Sequence, residues 1–145
     1  MADMYAPHVT LAGSSGVGPI VPGTTAAAIR AALLPVTLGT PVLSVTFGAP
    51  HRFMQTNIVS LPLDPHGPLR ALHDRIATSG IPFLQARFTF TPHVTLSFFP
   101  ELDRETTRAL MRLRVADAAF FDRLVVSRAA ESGKPRVLFE LPLVG

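Results

Sequence analysis

The pentapeptide Pro-His-Val-Thr-Leu occurs twice, at residues 7–11 and again at 92–96, and no other feature of the chain restricts its fold as much. Repetition of this kind marks two copies of one structural unit. Each copy is short, carries β-branched Val and Thr, and follows a proline, which reads as a strand. On a strand, residues i and i+2 share a face. His8 and Thr10 therefore project together, as do His93 and Thr95, while Val9, Leu11, Val94 and Leu96 turn toward a core. Ser97 extends the polar face of the second copy.

The rest of the chain supplies a frame for the two strands. After the first copy comes a Gly/Pro/Ser segment, 13–23, without apolar period, which reads as a mobile rim. Thr24 is placed to cap a helix through Ala26, Ile29, Ala32 and Leu33 that stops before Pro35. Residues 42–48 alternate as a strand, with 55–61 as the expected partner. Asp64 and Pro65 open a second helix on which Leu69, Leu72, His73 and Ile76 recur until Gly80. Residues 86–99 form an extended stretch that Pro92 interrupts. Asp103 is a cap for a third helix with Ala109, Leu110 and Leu113, and the tail reads as a β-hairpin closed around ESGK. Hairpins where parallel crossovers would otherwise run argue for α+β with antiparallel sheets. No composition shift marks a linker, so residues 1–145 read as one domain.

Composition narrows the chemistry. A chain of 145 residues, 48% hydrophobic and 16% charged, is able to bury roughly 70% of its unfolded surface in one core. With no cysteine, disulfides, thiolate metal sites and a cysteine nucleophile are excluded. The start, MADMYAPHVT, lacks the basic and apolar regions of a secretory leader, and no run approaches the roughly 18 apolar residues of a membrane helix. The expectation is a cytoplasmic protein without a membrane partner. A net charge of +3, from twelve arginines and Lys134 against ten carboxylates, is a mild bias toward anions.

Two imidazoles opposed across one cleft suit acid–base chemistry. An unperturbed histidine pKa of about 6.5 keeps both protonation states accessible near neutrality, so one ring takes a proton as the other gives one. A threonine hydroxyl two residues on is placed to donate to a non-bridging phosphate oxygen, where charge needs stabilising during displacement at phosphorus. A single His-x-Thr is ordinarily a half-exposed polar face; two identical copies among five histidines change that weighing. Metal binding is the competing reading, but there is no HExxH and no tight Asp/Glu/His cluster. Neither a metal nor a cofactor is expected.

The paired His-Val-Thr-Leu motifs resemble those of the 2H phosphoesterase superfamily, which contains the 2′-5′ RNA ligase-like proteins and the cyclic nucleotide phosphodiesterases. The family signature is two copies of His-x-Ser/Thr-hydrophobic, and both copies fit it. The resemblance implies a bilobal, pseudo-twofold α+β fold with antiparallel sheets lining a central groove. It implies metal-free hydrolysis or transesterification of 2′,3′-cyclic or 2′-5′ phosphodiesters in a nucleotide or RNA. By that carry-over His8 and His93 are the acid–base pair, and Thr10 and Thr95 the phosphate clamps. The alternative is a module that binds RNA ends or a cyclic nucleotide without turnover.

One departure from the pattern is the short lead. Family members carry a first strand and helix before the first motif, whereas seven residues precede His8. A truncated start, a natural short variant and a strand supplied by a second copy of the chain all fit; the last implies a homodimer, because a monomer would expose a sheet edge.

Further residues are candidates for substrate contact. Phe53 is suited to stacking a base and Arg52 to contacting phosphate, though a core Phe beside a surface Arg fits equally. Tyr5 is three residues before His8. Phe98 and Phe99 follow the second motif, with Phe98 taken as the one flanking substrate. His73 on its apolar stripe, His66 in a Pro/Gly turn and His51 before a strand have no matching partners and stay outside the catalytic set. The run Gly13 to Gly18 lacks the lysine of a phosphate loop and the spacing of a dinucleotide fingerprint.

Overall fold

The computed structural model describes residues 7–14, 16–53, 58–63, 67–97, 103–129 and 135–145. Helices and antiparallel strands alternate along the chain in the order α1 (Ala26–Leu38), β1 (Leu43–Val45), β2 (His51–Arg52), β3 (Val59–Pro62), α2 (Pro68–Ala77), β4 (His93–Ser97), α3 (Arg104–Arg112), β5 (Ala119–Phe121), β6 (Arg123–Arg128) and β7 (Arg136–Pro142).

Helix α1 starts one residue later and runs further than its sequence suggests. Its cap is Thr25, whose hydroxyl oxygen accepts from the Ala28 amide at 3.1 Å; Thr24 instead donates its hydroxyl to the Val21 carbonyl at 2.7 Å. Pro35 lies inside the helix, where a missing N–H and a ring clash ordinarily cost ~3 kcal/mol. Tertiary contacts offset that cost: Val36 and Thr37 beyond the proline are buried with Ile29 and Leu33. The Thr37 carbonyl accepts from the Val144 amide at 2.9 Å, and Arg75 on α2 donates to the Gly39 carbonyl at 2.9 Å and the Thr40 hydroxyl at 2.7 Å.

In α2, Pro68 at the first helical position is pre-set for φ, and Leu69, Leu72 and Ile76 form the buried stripe. The proposed start at Asp64 and Pro65 falls outside the described residues, and the cap is Gly67. Helix α3 is capped as expected by Asp103, whose carboxylate accepts from the Thr106 amide at 2.6 Å. That amide, followed by the Thr106 side chain, holds the Asp103 carboxyl below its ordinary range. Its contribution is complete above the ordinary carboxylate range and is lost as pH falls through the lowered value. No residue of α3 is buried.

The strand pairing differs from the expected hairpin of 42–48 with 55–61. Strand β1 pairs with the distant β5, Leu43 opposite Phe121 and Val45 opposite Ala119, whereas β3 sits between β2 and β4 in an antiparallel sheet. The bridge from Phe47 to Leu63 and the bond from the Gly48 amide to the Pro62 carbonyl are what remains of the local pairing. Alternation specifies a strand but not its partner. Both residues of β1 that face inward, Leu43 and Val45, are buried against the helices' core, and that burial selects the long-range partner. The closing hairpin of β6 and β7 forms as expected, with a bulge between Val126 and Ser127; the chain breaks at Asp122, so Phe120 and Phe121 belong to β5. The extended stretch of 86–99 shortens to β4, preceded by the buried Pro92, whose carbonyl accepts from the Leu63 amide at 3.0 Å. The core gathers Ile29 and Leu33 of α1, Leu69, Leu72 and Ile76 of α2, and Leu124 and Leu141 of the hairpin.

Candidate active site

The two repeated motifs meet. Val9 forms an antiparallel bridge with Val94, the central residue of one copy against the central residue of the other. An antiparallel register carried one residue each way from that bridge sets His8 opposite Thr95 and Thr10 opposite His93. Residues directly opposite share a face, so both histidines and both threonines belong to one side, and the two copies are related by exchange about the bridge. Diagonal positions in such a ladder stand roughly 7–8 Å apart at Cα. A single tetrahedral anion with a hydrogen bond of about 2.8 Å on each side is able to span that gap.

The opposite face explains why the arrangement is fixed. Val9, Leu11 and Val94 pack against the core cluster, and a one-residue slip of either strand would send these side chains to solvent and the histidines inward. Strand β4 is also held by β3, with Thr95 opposite Ser60 and His93 opposite Pro62. A bulge between Val59 and Ser60 adjusts the register toward Ser97.

His93 has one ring nitrogen committed. Its Nδ1 lies 2.6 Å from the Thr91 carbonyl oxygen, and a carbonyl only accepts, so Nδ1 carries the hydrogen. Nε2 is then the atom through which this ring exchanges a proton. Phe53 meets the His93 ring in a T-shaped contact, centroids 5.1 Å apart, and meets His51 in another at 5.7 Å. His8 is exposed, while Thr10, His93 and Thr95 are partly buried.

The other expected contacts are distributed unevenly. Phe53 is at the site. Arg52 is the intervening residue of β2, opposite the buried Val59, so alternation sends its Cβ to the face away from Phe53. Ser97 ends β4; Tyr5, Phe98 and His66 lie outside the described residues. His73 fits the packing explanation: its ring stacks on Phe90 at 4.2 Å and 10°, and its Nδ1 lies 2.8 Å from the Asp74 carboxylate. Sequence context places His51 outside the set, yet it meets Phe53 at the site; the i, i+2 spacing from Phe53 is the signal that points to it. Among the described residues, no group of three or more His, Cys, Asp or Glu is gathered to hold a metal ion.

The glycine-rich segment after the first motif is tied down rather than loose. The Val17 amide donates to the Leu11 carbonyl at 3.0 Å, the Leu84 amide to Pro19 at 2.7 Å, and the Arg87 amide to Ser14 at 3.0 Å. Gly16 has φ +82, and a Cβ there would drive into the Leu11 carbonyl oxygen. Gly16→Ala is therefore expected to lose at least about 1–2 kcal/mol of stability from the left-handed backbone alone and to displace the first motif. Urea unfolding checks it; an unchanged midpoint would contradict this path for the loop.

The family model of the 2′-5′ RNA ligase superfamily matches residues 2–129, so the chain belongs to that superfamily, which is the 2H phosphoesterase superfamily. No curated protein matches the chain. Membership brings a 2H phosphoesterase-type function. Among the described residues no helix is long and apolar enough to cross a membrane.

Proposed function

We propose that the chain is a metal-independent phosphodiesterase that opens 2′,3′-cyclic or 2′-5′ phosphodiesters of nucleotides or RNA in the cytoplasm. The observation that carries this reading is the Val9–Val94 bridge, which joins two identical His-x-Thr units back to back on one sheet face. In this reading the pairing is the centre of a pseudo-twofold, bilobal fold whose groove receives the phosphate.

The chemistry follows from the groups present. One imidazole accepts a proton from water as the water oxygen bonds to phosphorus. The bond from phosphorus to the departing ribose oxygen breaks, and the second imidazolium gives that oxygen its proton. Across the step the two rings exchange protonation states and no net proton is consumed. At His93 the proton moves through Nε2, because Nδ1 is engaged by Thr91. The hydroxyls of Thr10 and Thr95 donate to the non-bridging oxygens as negative charge builds there. Phe53, against His93, offers a flat apolar surface to a base.

Turnover of nucleoside 2′,3′-cyclic phosphates in EDTA tests the reading: product formation supports it, and saturable binding without product would make the chain a binding module. Thr95→Val, which keeps shape and removes the donor, is expected to lower kcat by roughly 10²-fold with a smaller change in KM. A change confined to KM would instead mean that the hydroxyl binds ground state and transition state alike.

A further inference from the structure

We infer that His51 is a third substrate-facing imidazole that binds a second anionic group, about one nucleotide beyond the scissile phosphate, so that the site favours an oligonucleotide end over a mononucleotide. The inference rests on the phosphodiesterase reading and adds the substrate class to it.

The sheet register carries the argument. His51 is the register partner of Ser60, and Ser60 is the register partner of Thr95. One row across β2, β3 and β4 therefore places His51, the buried Ser60 and Thr95 on a single face, and the Val9–Val94 bridge continues that row to His8. Strands stand about 4.8 Å apart, so His51 is roughly 10 Å from Thr95 along the row. That is too far to share the phosphate held by Thr95 and His93 and close enough to meet the next nucleotide. Ring contacts fill the interval: His51 on Phe53 at 5.7 Å, and Phe53 on His93 at 5.1 Å.

Exposure fits an anion at this end. His51 is exposed on the short strand β2, where an imidazole engaged only in packing gains little from burial. A base seated on Phe53 would have its own phosphate at one end of the row and the next at the other.

The test compares kcat/KM of the full chain on a nucleoside 2′,3′-cyclic phosphate with that on a dinucleotide ending in the same cyclic phosphate, for wild type, His51→Ala and His51→Phe. The wild type is expected to favour the dinucleotide at least tenfold, and both variants to lose that preference by about tenfold. His51→Phe keeps an aromatic ring against Phe53, so a preference retained by it and lost only in His51→Ala would overturn the inference in favour of packing. A preference unchanged in both variants, or absent in wild type, would overturn it as well. If wild type turns over neither substrate, the phosphodiesterase reading fails separately. Equilibrium binding of the same two ligands then decides the His51 assignment by the same contrast.

Discussion

His93→Ala is expected to lower kcat/KM on a nucleoside 2′,3′-cyclic phosphate by roughly 10²–10⁴-fold in EDTA, the contribution of a positioned proton donor or acceptor, with His8→Ala falling in the same range. The Thr91 carbonyl fixes the His93 tautomer at 2.6 Å, Phe53 fixes the ring from the side, and the ladder with β3 fixes the backbone. Removal of the imidazole deletes the group together with its contacts to Thr91 and Phe53, while the backbone ladder with β3 remains. The wild-type rate should follow a bell in pH: it rises as the base loses its proton and falls as the acid loses its own. Each single variant should lose one limb of that bell, and the two variants should lose opposite limbs. Activity within tenfold of wild type in either variant would remove that histidine from the reaction.

Leu69→Ala carries the largest expected loss of stability, about 2–5 kcal/mol. Leu69 is 2% exposed and belongs to the stripe of α2 that packs with Ile29 and Leu33 of α1. Truncation removes its transfer free energy and leaves a cavity among neighbours held by two helices and a hairpin. Tm should fall by roughly 5–20 °C for a chain of this length, while the residual folded fraction should keep its kcat, because α2 contributes no group to the His–Thr face. A loss below 1 kcal/mol would mean that α2 does not dock through this stripe.

The parts of the fold legible in the sequence are those decided by local chemistry. Each copy of the motif, the Asp103 cap and the apolar stripe of α2 depend on residues within one or two turns of each other, and the closing hairpin on two strands adjacent in sequence. The parts that escaped depend on partners far along the chain. Pro35 reads as a stop signal, and the burial of Val36 and Thr37 with the contacts from Arg75 and Val144 to the end of α1 show why the helix passes through it. Strand β1 alternates correctly, but its pairing with β5 is set by burial of Leu43 and Val45, which no local pattern contains. The glycine segment reads as loose because its bonds to 84–88 lie some seventy positions away.

At the candidate site the same division holds. His8, Thr10, His93 and Thr95 are visible because the motif occurs twice. That the two copies pair at Val9 and Val94 is a tertiary fact, as is the contact of Phe53 with His93. Arg52 and Phe53 look equivalent in sequence, yet Arg52 ends β2 on the face opposite His51, so the neighbour that joins Phe53 is His51.

The most direct measurement is a crystal structure with a nucleoside 2′,3′-cyclic phosphorothioate bound. The account places its phosphorus between the motifs, with a ring nitrogen of His8, Nε2 of His93 and the hydroxyls of Thr10 and Thr95 each about 3 Å from an oxygen or sulfur of the ligand. A phosphorothioate touched by one motif alone, or seated elsewhere on the surface, would contradict it.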